Sequence, residues 1–493
     1  MKKLLSVLLA LTILLSLAAC GGDPSETTAA TTEPFATEKP SVFMAGYCKM
    51  DITPEGNGYP MMGFSNDDVR LSEGMYTYLY ATTLVVQDIY DSKAMIISVD
   101  SGAVGTAMCD RLRKQISQAC GIPVENILIT SIHQHSTPSF GSSQHAAAGK
   151  YASFFEERVL ESAKKAMEDL APAKMSIATV ETEGLTFVKH YIMNDGTFAG
   201  DGYGSFASGI KAHESEADND LQLVKFDREG QTTVGGKEAK NILLSNFQGH
   251  PHAGTDSLNK NISADAPGIY REEVEAATGY HTMYVSGAQG NLNMTSRIQE
   301  ENIYATFEEL GKALAGYAIK AINDDAFTPV NTGKVQGTVV TYEGKADHSM
   351  DYLLQEAIAI DAAWKETYNA QEAMSKATSG KIHSHHHATA IIAKAAEEDT
   401  KTMPVITISF GDVAICGGMY EMFDTNGMEI KAQSPFQMTF VAHMANGTHG
   451  YIPSLMSYEN GCYPADITRY AKGSGEELRD LFVHMLRDHR DSQ

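Results

Sequence analysis

The sequence predicts an α/β fold, in the form of a layered α/β domain with mixed β-sheets. Two observations carry this prediction. From about residue 42 onward, apolar runs rich in β-branched residues alternate with amphipathic segments of helical periodicity. The chain has 493 residues and a hydrophobic share of 43%, which is enough to bury a large core.

The first 20 residues predict a lipoprotein signal peptide (1–20). A basic start, MKK, precedes the apolar run LLSVLLALTILLSLAA, which is short for a membrane span. The run ends in LAAC, which resembles a bacterial lipobox whose cysteine, here Cys20, is lipidated and becomes the mature N-terminus. Ordinary secretion with cleavage nearby is the alternative. The lipobox predicts a lipid anchor on the extracytoplasmic face of the bacterial cell membrane.

Residues 21–42 predict a disordered tether rich in Thr and Pro, because this stretch has almost nothing to bury. The folded part is expected to span 43–493. The whole chain has a formal net charge of −24. This charge disfavours a nucleic-acid partner, because an acidic surface repels phosphates. The remaining cysteines are sparse and odd in number, so they predict neither a disulfide framework nor a zinc ribbon. They are Cys48, Cys109, Cys120, Cys416 and Cys462.

The first half of the folded part alternates strands and helices. Strands are predicted at 78–86, 94–100, 126–132, 241–247 and 281–287. Helices are predicted at 107–121, 151–170 and 303–324. The first helix has apolar residues at helical spacing, and Gly121 is placed to cap its C-terminus.

The second half predicts one long helix at 351–377, a hairpin at 405–418 with a two-residue Gly-Asp turn, a strand at 436–444 and a closing helix at 474–488. Between the long helix and the hairpin lies a histidine-rich run, His383–His387. A flexible surface loop is the expected structure of this run, and such tracts bind metals only weakly, so it could act as a zinc scavenger.

Polar clusters follow five of the apolar strands directly. They are His133-Gln-His135, His250-Pro-His252, Asn291-Leu-Asn293, Glu421 and Tyr451. In open α/β sheets the carboxyl ends of strands border the ligand crevice, so these clusters are expected to converge although they lie far apart in sequence.

Two His-x-His pairs at strand ends indicate a metal site. Residues i and i+2 of a strand point to the same face, and neutral imidazole is a common zinc ligand. The alternative is that the histidines are hydrogen-bonded turn residues. Glu421 could equally cap the segment that follows it, and a tyrosine such as Tyr451, Tyr458 or Tyr463 is most often a core or rim residue.

Six stretches resemble, in order, motifs of the neutral (non-lysosomal) ceramidase family. They include an Asp-Ile-Thr-Pro start with a Met-Gly-Phe turn, a His-x-His-Ser motif, a His-Pro motif, a Gly-Asn loop, a glutamate turn and a C-terminal tyrosine stretch. The stretches are GYCKMDITPEGNGYPMMGFS (46–65), ILITSIHQHSTPSF (127–140), NFQGHPHAGT (246–255), MYVSGAQGNLNM (283–294), GGMYEMF (417–423) and ANGTHGYIPSLMSYENGCY (445–463).

The resemblance runs from about residue 45 to the C-terminus and implies a zinc site. Family members hold one zinc ion with two histidines, a glutamate and a tyrosine. Carried over to this sequence, these ligands are His133, His250, Glu421 and Tyr451. His135 is then the second histidine of its motif, with an acid–base role, and Tyr463 is a further active-site tyrosine.

Three features depart from the family pattern. Gly287 stands where the ceramidases carry a serine, with Ser286 one residue away, and Asn291 replaces the aspartate of the same loop. The family's C-terminal immunoglobulin-like domain is expected to be missing. Lys189 and His190 occupy a segment in which relatives place arginines, and they are the expected substrate-binding residues.

The expected function is that of a surface-anchored, zinc-dependent amidohydrolase of ceramidase type, acting in sphingolipid metabolism. A zinc-activated water would cleave an N-acyl bond in a small-molecule or lipid amide, and no serine nucleophile is required. Two other readings remain open at this level. One is a non-catalytic, ligand-binding lipoprotein derived from the ceramidase fold, and the other is a structural or adhesion lipoprotein.

Overall fold

The structure, a computed structural model, describes residues 42–63, 70–140, 145–252 and 259–493. The predicted signal peptide lies outside the described residues, as does the predicted tether apart from Val42. The first strand begins at Met44, close to the predicted start of the folded part.

Most strands of the described residues are short, and the longer ones form three sheets. In the first half they are β1 (Met44–Asp51), β2 (Gly74–Met75), β3 (Tyr80–Gln87), β4 (Lys93–Val99), β5 (Ile127–Ser131), β6 (Ala171–Pro172), β7 (Lys174–Glu181), β8 (Phe187–Val188), β9 (Tyr191–Met193), β10 (Phe198–Ala199), β11 (Ile210–His213), β12 (Asp220–Asp227) and β13 (Ile242–Phe247). In the second half they are β14 (Asn261–Ile262), β15 (His281–Ser286), β16 (Leu292–Asn293), β17 (Thr328–Pro329), β18 (Val335–Lys345), β19 (Thr400–Phe410), β20 (Val413–Gly418), β21 (Glu421–Met422), β22 (Met438–Ala442) and β23 (Tyr451–Ile452).

The helices lie between these strands and after the last of them. They are α1 (Thr106–Cys120), α2 (Ala146–Glu168), α3 (Asp265–Thr278), α4 (Phe307–Asn323), α5 (Leu354–Thr367), α6 (Ala370–Met374), α7 (His385–Ala395), α8 (Asp424–Gln433), α9 (Leu455–Asn460), α10 (Tyr463–Ile467) and α11 (Ser474–Asp491). In the part of the chain that the structure describes, no helix combines the length and apolar character needed to cross a bilayer.

Three mixed sheets form the framework, and each contains one parallel pair of strands. The first sheet has the order β5-β4-β3-β1-β6, the second β15-β13-β12-β7-β17 and the third β18-β19-β20-β22. The parallel pairs are β4 with β5, β13 with β15, and β20 with β22. One strand of each parallel pair is an edge strand of its sheet: β5 in the first sheet, β15 in the second and β22 in the third. At each of these edges, the carboxyl ends of two parallel strands lie side by side.

The three sheets share one apolar core. One face of each sheet contributes to it, with Leu84 from the first, Phe226 from the second and Ile408 from the third among its fully buried residues. Helices α1 to α4 cover the outer faces of the first two sheets, and α8 and α11 cover the third. Burial on both faces explains why the central strands read as continuous apolar runs rather than as an alternating pattern.

The predicted fold class is confirmed, and so are most of the predicted elements. Gly121 adopts the left-handed conformation (φ 68°) and closes α1, as expected of a C-capping glycine. The β19–β20 hairpin turns at Gly411-Asp412, with Phe410 paired to Val413. The five cysteines of the folded part are free.

Two predictions for the second half are wrong. The predicted helix at 351–377 is interrupted, because Tyr368 adopts a left-handed conformation (φ 50°) and Asn369 then caps the start of α6. The histidine-rich run is not a loop: Ser384 caps the N-terminus of α7 through the backbone N–H of His387, so His385–His387 form its first turn. Capping by Asn and Ser side chains is a local signal that the periodicity of the apolar residues does not show.

Candidate metal centre

The edge strands of the three sheets meet, and hydrogen bonds join them. Ser286, which ends β15, donates its hydroxyl to the carbonyl of Ile132 just beyond β5 at 2.9 Å. The backbone N–H of His443, just beyond β22, donates to the carbonyl of Ser286 at 3.0 Å, and Thr130 of β5 donates its hydroxyl to the carbonyl of His443. Residues that follow these strands therefore converge, as the sequence predicted.

His133 stands at the centre of the convergence. It takes a positive φ (64°), which is uncommon for a residue other than glycine and often occurs at functional sites. Its Nδ1 lies 2.5 Å from the carbonyl of Gly102, and its Nε2 lies 3.1 Å from a carboxylate oxygen of Glu421. Because a carbonyl can only accept, Nδ1 carries the proton, and the Nε2 of a neutral ring directs its lone pair toward the carboxylate.

His135 and His250 face each other across the cluster. Their Nε2 atoms are 2.9 Å apart, and the His250 ring stacks on His133 with centroids 4.6 Å apart. Gly63 makes room for His135, because a Cβ at that position would lie 2.6 Å from the Cβ of the histidine. The glycine of the Met-Gly-Phe turn is thus explained by close approach of the backbone to a site residue.

The Glu421 and Tyr451 backbones are held side by side. Each begins a two-residue strand, and β21 and β23 pair in parallel with Glu421 opposite Tyr451. Burial, followed by the negative charge of the neighbouring Glu421, raises the pKa of Tyr451 well above its usual value. Tyr463 packs edge-on against Tyr451 with ring centroids 6.3 Å apart, which places it beside the predicted ligands.

Two further histidines belong to the site: His252, which the sequence predicts only as the second member of a His-x-His pair, and His443, which the sequence did not single out. His252 lies next to His250, and its Nε2 is 3.1 Å from the amide oxygen of Asn293. His443 is buried beside His133, with ring centroids 5.0 Å apart, and neither of its ring nitrogens has a hydrogen-bond partner. His443 directly follows the apolar strand β22, so the strand-end argument that selected His133 and the His250-Pro-His252 pair applies to it as well.

Lys189 and His190 take different places. The Lys189 ammonium lies 5.5 Å from the centroid of the Tyr451 ring, so this residue adjoins the site. His190 is turned toward Glu214 (Nδ1–Oε2 3.5 Å) and packs against Phe423 rather than against the histidines of the site. The two neighbours in sequence therefore do not share one contact surface.

Close packing explains the glycine at position 287, where the ceramidases carry a serine. A Cβ at Gly287 would lie 2.6 Å from the side-chain oxygen of Gln248, so the residue is packed without space for a side chain. Ser286 is engaged with Ile132 and cannot substitute for a serine at 287. Asn291 is occupied too, because its amide exchanges two hydrogen bonds with Asp424, at 2.7 and 2.8 Å. These residues brace the site without facing it.

The donor set fits a divalent cation. Two groups bring one ligand atom from each of three residues within 4.8 Å of one another: His133, His135 and His250, and His133, Glu421 and His443. A lone pair of His133 facing a carboxylate is repulsive unless a proton or a cation lies between them. The carbonyl of Gly102 holds the other nitrogen of His133, which is the arrangement typical of metal-binding histidines. Imidazole and carboxylate are ligands that zinc accepts.

The pKa values of the site residues show the same pairing of His133 with Glu421. Burial raises the pKa of Glu421, but the charge and hydrogen bond of His133 outweigh it and hold the pKa at about 2. Burial lowers the pKa of His133, yet Glu421 more than compensates and the net shift is upward. Burial, together with neighbouring histidines, lowers the pKa values of His250 and His443, the latter to about 3, so both rings are neutral and keep lone pairs available.

The fold and the cluster define an α/β protein with a candidate metal centre where three sheets meet. The profile of the neutral/alkaline non-lysosomal ceramidase family, N-terminal region, matches residues 43–289, which is half of the chain. The chain belongs to this family of hydrolases. The matched region contains both His-x-His pairs, whereas Glu421 and Tyr451 lie beyond it.

Two solved structures with a similar fold are described as ceramidases. The neutral ceramidase from Pseudomonas aeruginosa matches with a TM-score of 0.66 and 15% identity over 92% of this chain and 75% of that one. A structure described as a ceramidase complexed with C2 matches with a TM-score of 0.64 and 15% identity over 92% of this chain and 76% of that one. Among curated protein sequences, none matches this chain significantly.

Proposed function

We propose that the protein is a zinc-dependent amidohydrolase that cleaves the N-acyl bond of a lipid amide of ceramide type. The observation that carries the proposal is the pair of potential ligand groups that share His133, one with His135 and His250 and the other with Glu421 and His443, in a chain that belongs to the ceramidase family. Membership in that family supports a lipid amide as the substrate.

His133, His250, Glu421 and Tyr451 are the proposed ligands, and His443 is placed to join them. A zinc ion there would supply Lewis-acid chemistry, making a water molecule more acidic and polarising the carbonyl of the amide. The carbonyl of Gly102 orients His133, and the β21–β23 pairing positions Glu421 beside Tyr451.

Other residues of the chain handle protons and charge. His135 is neutral at pH 7, because burial and neighbouring histidines hold its pKa well below 6.5, so its unprotonated ring nitrogen can take a proton from the attacking water and later release it to the leaving amine. Burial raises the pKa of Tyr463 to about 12, so its hydroxyl stays protonated and can donate a hydrogen bond to the developing oxyanion. Lys189 adds positive charge beside Tyr451.

The test measures zinc content and hydrolysis on the same samples. The purified protein is assayed by elemental mass spectrometry and against N-acylsphingosines, N-acyl amino acids and the matching esters. We expect His133→Ala combined with His250→Ala to remove one zinc ion per chain and to lower kcat/KM by more than about 100-fold, because two ligands are lost together. His484→Ala, on the exposed face of α11, is the matched control and should change neither quantity.

The possible outcomes separate the alternatives. A double variant that keeps its full zinc content and activity would overturn the proposal. A parent that hydrolyses no amide or ester but melts at a higher temperature with a lipid amide would favour the binding lipoprotein, since a ligand stabilises the folded state in proportion to its affinity.

The proposal includes attachment to the bacterial membrane through a lipidated Cys20, which lies outside the described residues. The LAAC sequence after the short apolar run supports it. Cys20→Ser should prevent incorporation of labelled fatty acid and release the protein from the membrane fraction. Labelling that persists in this variant would contradict the lipid anchor.

A further inference from the structure

A second cluster of metal-ligating side chains lies outside the site described above. It consists of His383, His387 and Asp466, whose ligand atoms all lie within 4.8 Å of one another. The cluster shares no residue with the candidate metal centre. It joins the start of α7 to the short helix α10, which are far apart in sequence.

The two histidines point at one carboxylate oxygen. The Nδ1 of His383 lies 2.7 Å from Oδ2 of Asp466, and the Nδ1 of His387 lies 3.3 Å from the same oxygen. The imidazole rings are 5.3 Å apart between centroids. Two nitrogens and one oxygen converging on one point form a donor set that zinc and its neighbours in the transition series accept.

His387 is the more informative of the two histidines. Its side chain is only 1% exposed, and its Nε2 has no hydrogen-bond partner. Its Nδ1 faces both the Asp466 carboxylate and, at 3.4 Å, the backbone N–H of His383, which is a donor. The carboxylate of Asp466 requires a proton on Nδ1, whereas the N–H of His383 requires a lone pair there. Neither neutral tautomer of His387 can therefore satisfy both contacts. An ion bound at Nδ1 would remove this conflict, with the ring proton carried by Nε2.

The surrounding charges leave Asp466 available. The nearby Lys394 ammonium is paired with the carboxylate of Asp347 at 2.7 Å and donates to the backbone carbonyl of Asp466, not to its side chain. The ring of Tyr203 packs edge-on against His383 at 5.0 Å and closes one side of the cluster. His383 itself is exposed, so water can complete the coordination of a cation.

We propose that His383, His387 and Asp466 form a second divalent-cation site, of the zinc class, that clamps α10 onto α7. Its role is structural. Asp466 follows Tyr463 by three residues, and residues at that spacing lie on the same side of a helix. Thr468, just after α10, donates its hydroxyl to the carbonyl of Tyr451 at 2.8 Å. The clamp therefore positions the segment that carries both tyrosines of the candidate metal centre.

The rest of the histidine run is outside the clamp. His385 stacks on Trp364, with centroids 4.5 Å apart, and its Nε2 lies 3.0 Å from Asp361. His386 is exposed. A flexible scavenging tract would use all of these rings alike, whereas an ordered site uses His383 and His387 with Asp466 and leaves His386 aside.

The experiment counts zinc in the full-length protein after chelation and re-equilibration with buffered zinc. We expect two zinc ions in the parent, one in His383→Ala/His387→Ala, one in His133→Ala/His250→Ala and two in His386→Ala. We expect Asp466→Asn to lower the affinity for the second ion by at least about 100-fold, and the rise in melting temperature on adding zinc to shrink accordingly. Near-UV circular dichroism identifies any variant that fails to fold.

Two results would overturn the proposed second site. One is an equal zinc content in the parent and in the folded Asp466→Asn and His383→Ala variants. Another is a loss in His386→Ala as large as that in His383→Ala, which would indicate a non-specific tract. If the parent holds one ion that the His383 and His387 substitutions remove and the His133 and His250 substitutions do not, the second site stands and the proposed catalytic centre fails.

Discussion

Gly290 shows how a single small residue determines the shape of the candidate metal centre. A Cβ at this position would lie 2.6 Å from the backbone carbonyl oxygen of Glu421 and 3.0 Å from that of Met422. Its own N–H donates to the Met422 carbonyl at 2.8 Å. The loop after β15 thus rests directly on the backbone of Glu421, the proposed glutamate ligand.

We therefore expect Gly290→Ala to displace Glu421. Backbone atoms cannot move aside as a flexible side chain does, so the substitution should lower the free energy of unfolding by about 1–3 kcal/mol, as overpacking does. It should also weaken zinc binding, measured by competition with a chelating dye.

Gly316→Ala is the control for this substitution. Gly316 is exposed on α4 and has no atom within 4 Å of an added Cβ, so alanine there should stabilise the protein slightly, by about 1 kcal/mol or less. If Gly290→Ala matched Gly316→Ala in both stability and zinc affinity, the packing argument would be wrong.

Among the elements, α11 is attached to the third sheet through a buried histidine near its C-terminus. His489 is 4% exposed, and its ring nitrogens contact the hydroxyls of Ser409 on β19 (3.0 Å) and Thr338 on β18 (2.9 Å). Burial lowers the pKa of His489 to about 4. The folded protein therefore holds this ring neutral in a pH range where the unfolded chain protonates it.

This lowered pKa predicts a loss of stability in mild acid. The contribution of His489 is complete above the unfolded pKa of about 6.5 and declines as the pH falls from there toward 4, because the unfolded state then binds the extra proton. Between pH 8 and pH 5 the loss from this residue amounts to about 2 kcal/mol.

Urea melts at pH 8 and pH 5 measure this loss. His489→Gln should show a smaller difference between the two pH values than the parent, whereas His484→Ala, an exposed histidine on the same helix, should not. Identical pH dependence in the parent and in His489→Gln would show that the pKa of His489 is not lowered.

The sequence predicts where strands and helices lie better than it predicts where helices begin or are interrupted. Apolar runs such as 126–132 and 241–247 were recognisable because both faces of the strands are buried. The break between α5 and α6 was missed, since the helical periodicity of apolar residues continues through Tyr368 and only the conformation of that residue interrupts it. The sequence did not predict that α7 starts within the histidine run, because histidine has no strong preference for helices and the only start signal is the single N-cap residue Ser384.

At the scale of the whole molecule, the sequence indicated which strand ends carry chemistry, but not how they meet. Convergence depends on hydrogen bonds between three separate sheets, such as those that join Ser286 to Ile132 and to His443. These bonds link residues more than 150 positions apart, and no local pattern specifies them. His443, for example, reaches the site because β22 ends beside β5, where Thr130 donates its hydroxyl to the carbonyl of His443.

The short ladder between β21 and β23 has a consequence for how the site could diversify. Glu421 and Tyr451 are set opposite each other by parallel backbone pairing, and the backbone geometry does not depend on which side chains the two positions carry. The backbone therefore fixes where the two donor side chains lie, whereas the sequence alone decides which donor stands at each position. Related chains could exchange one donor for another, and so change the preferred ion or reaction, without rebuilding the scaffold. Much of the entropic cost of gathering the donors is met when the chain folds, before any ion arrives.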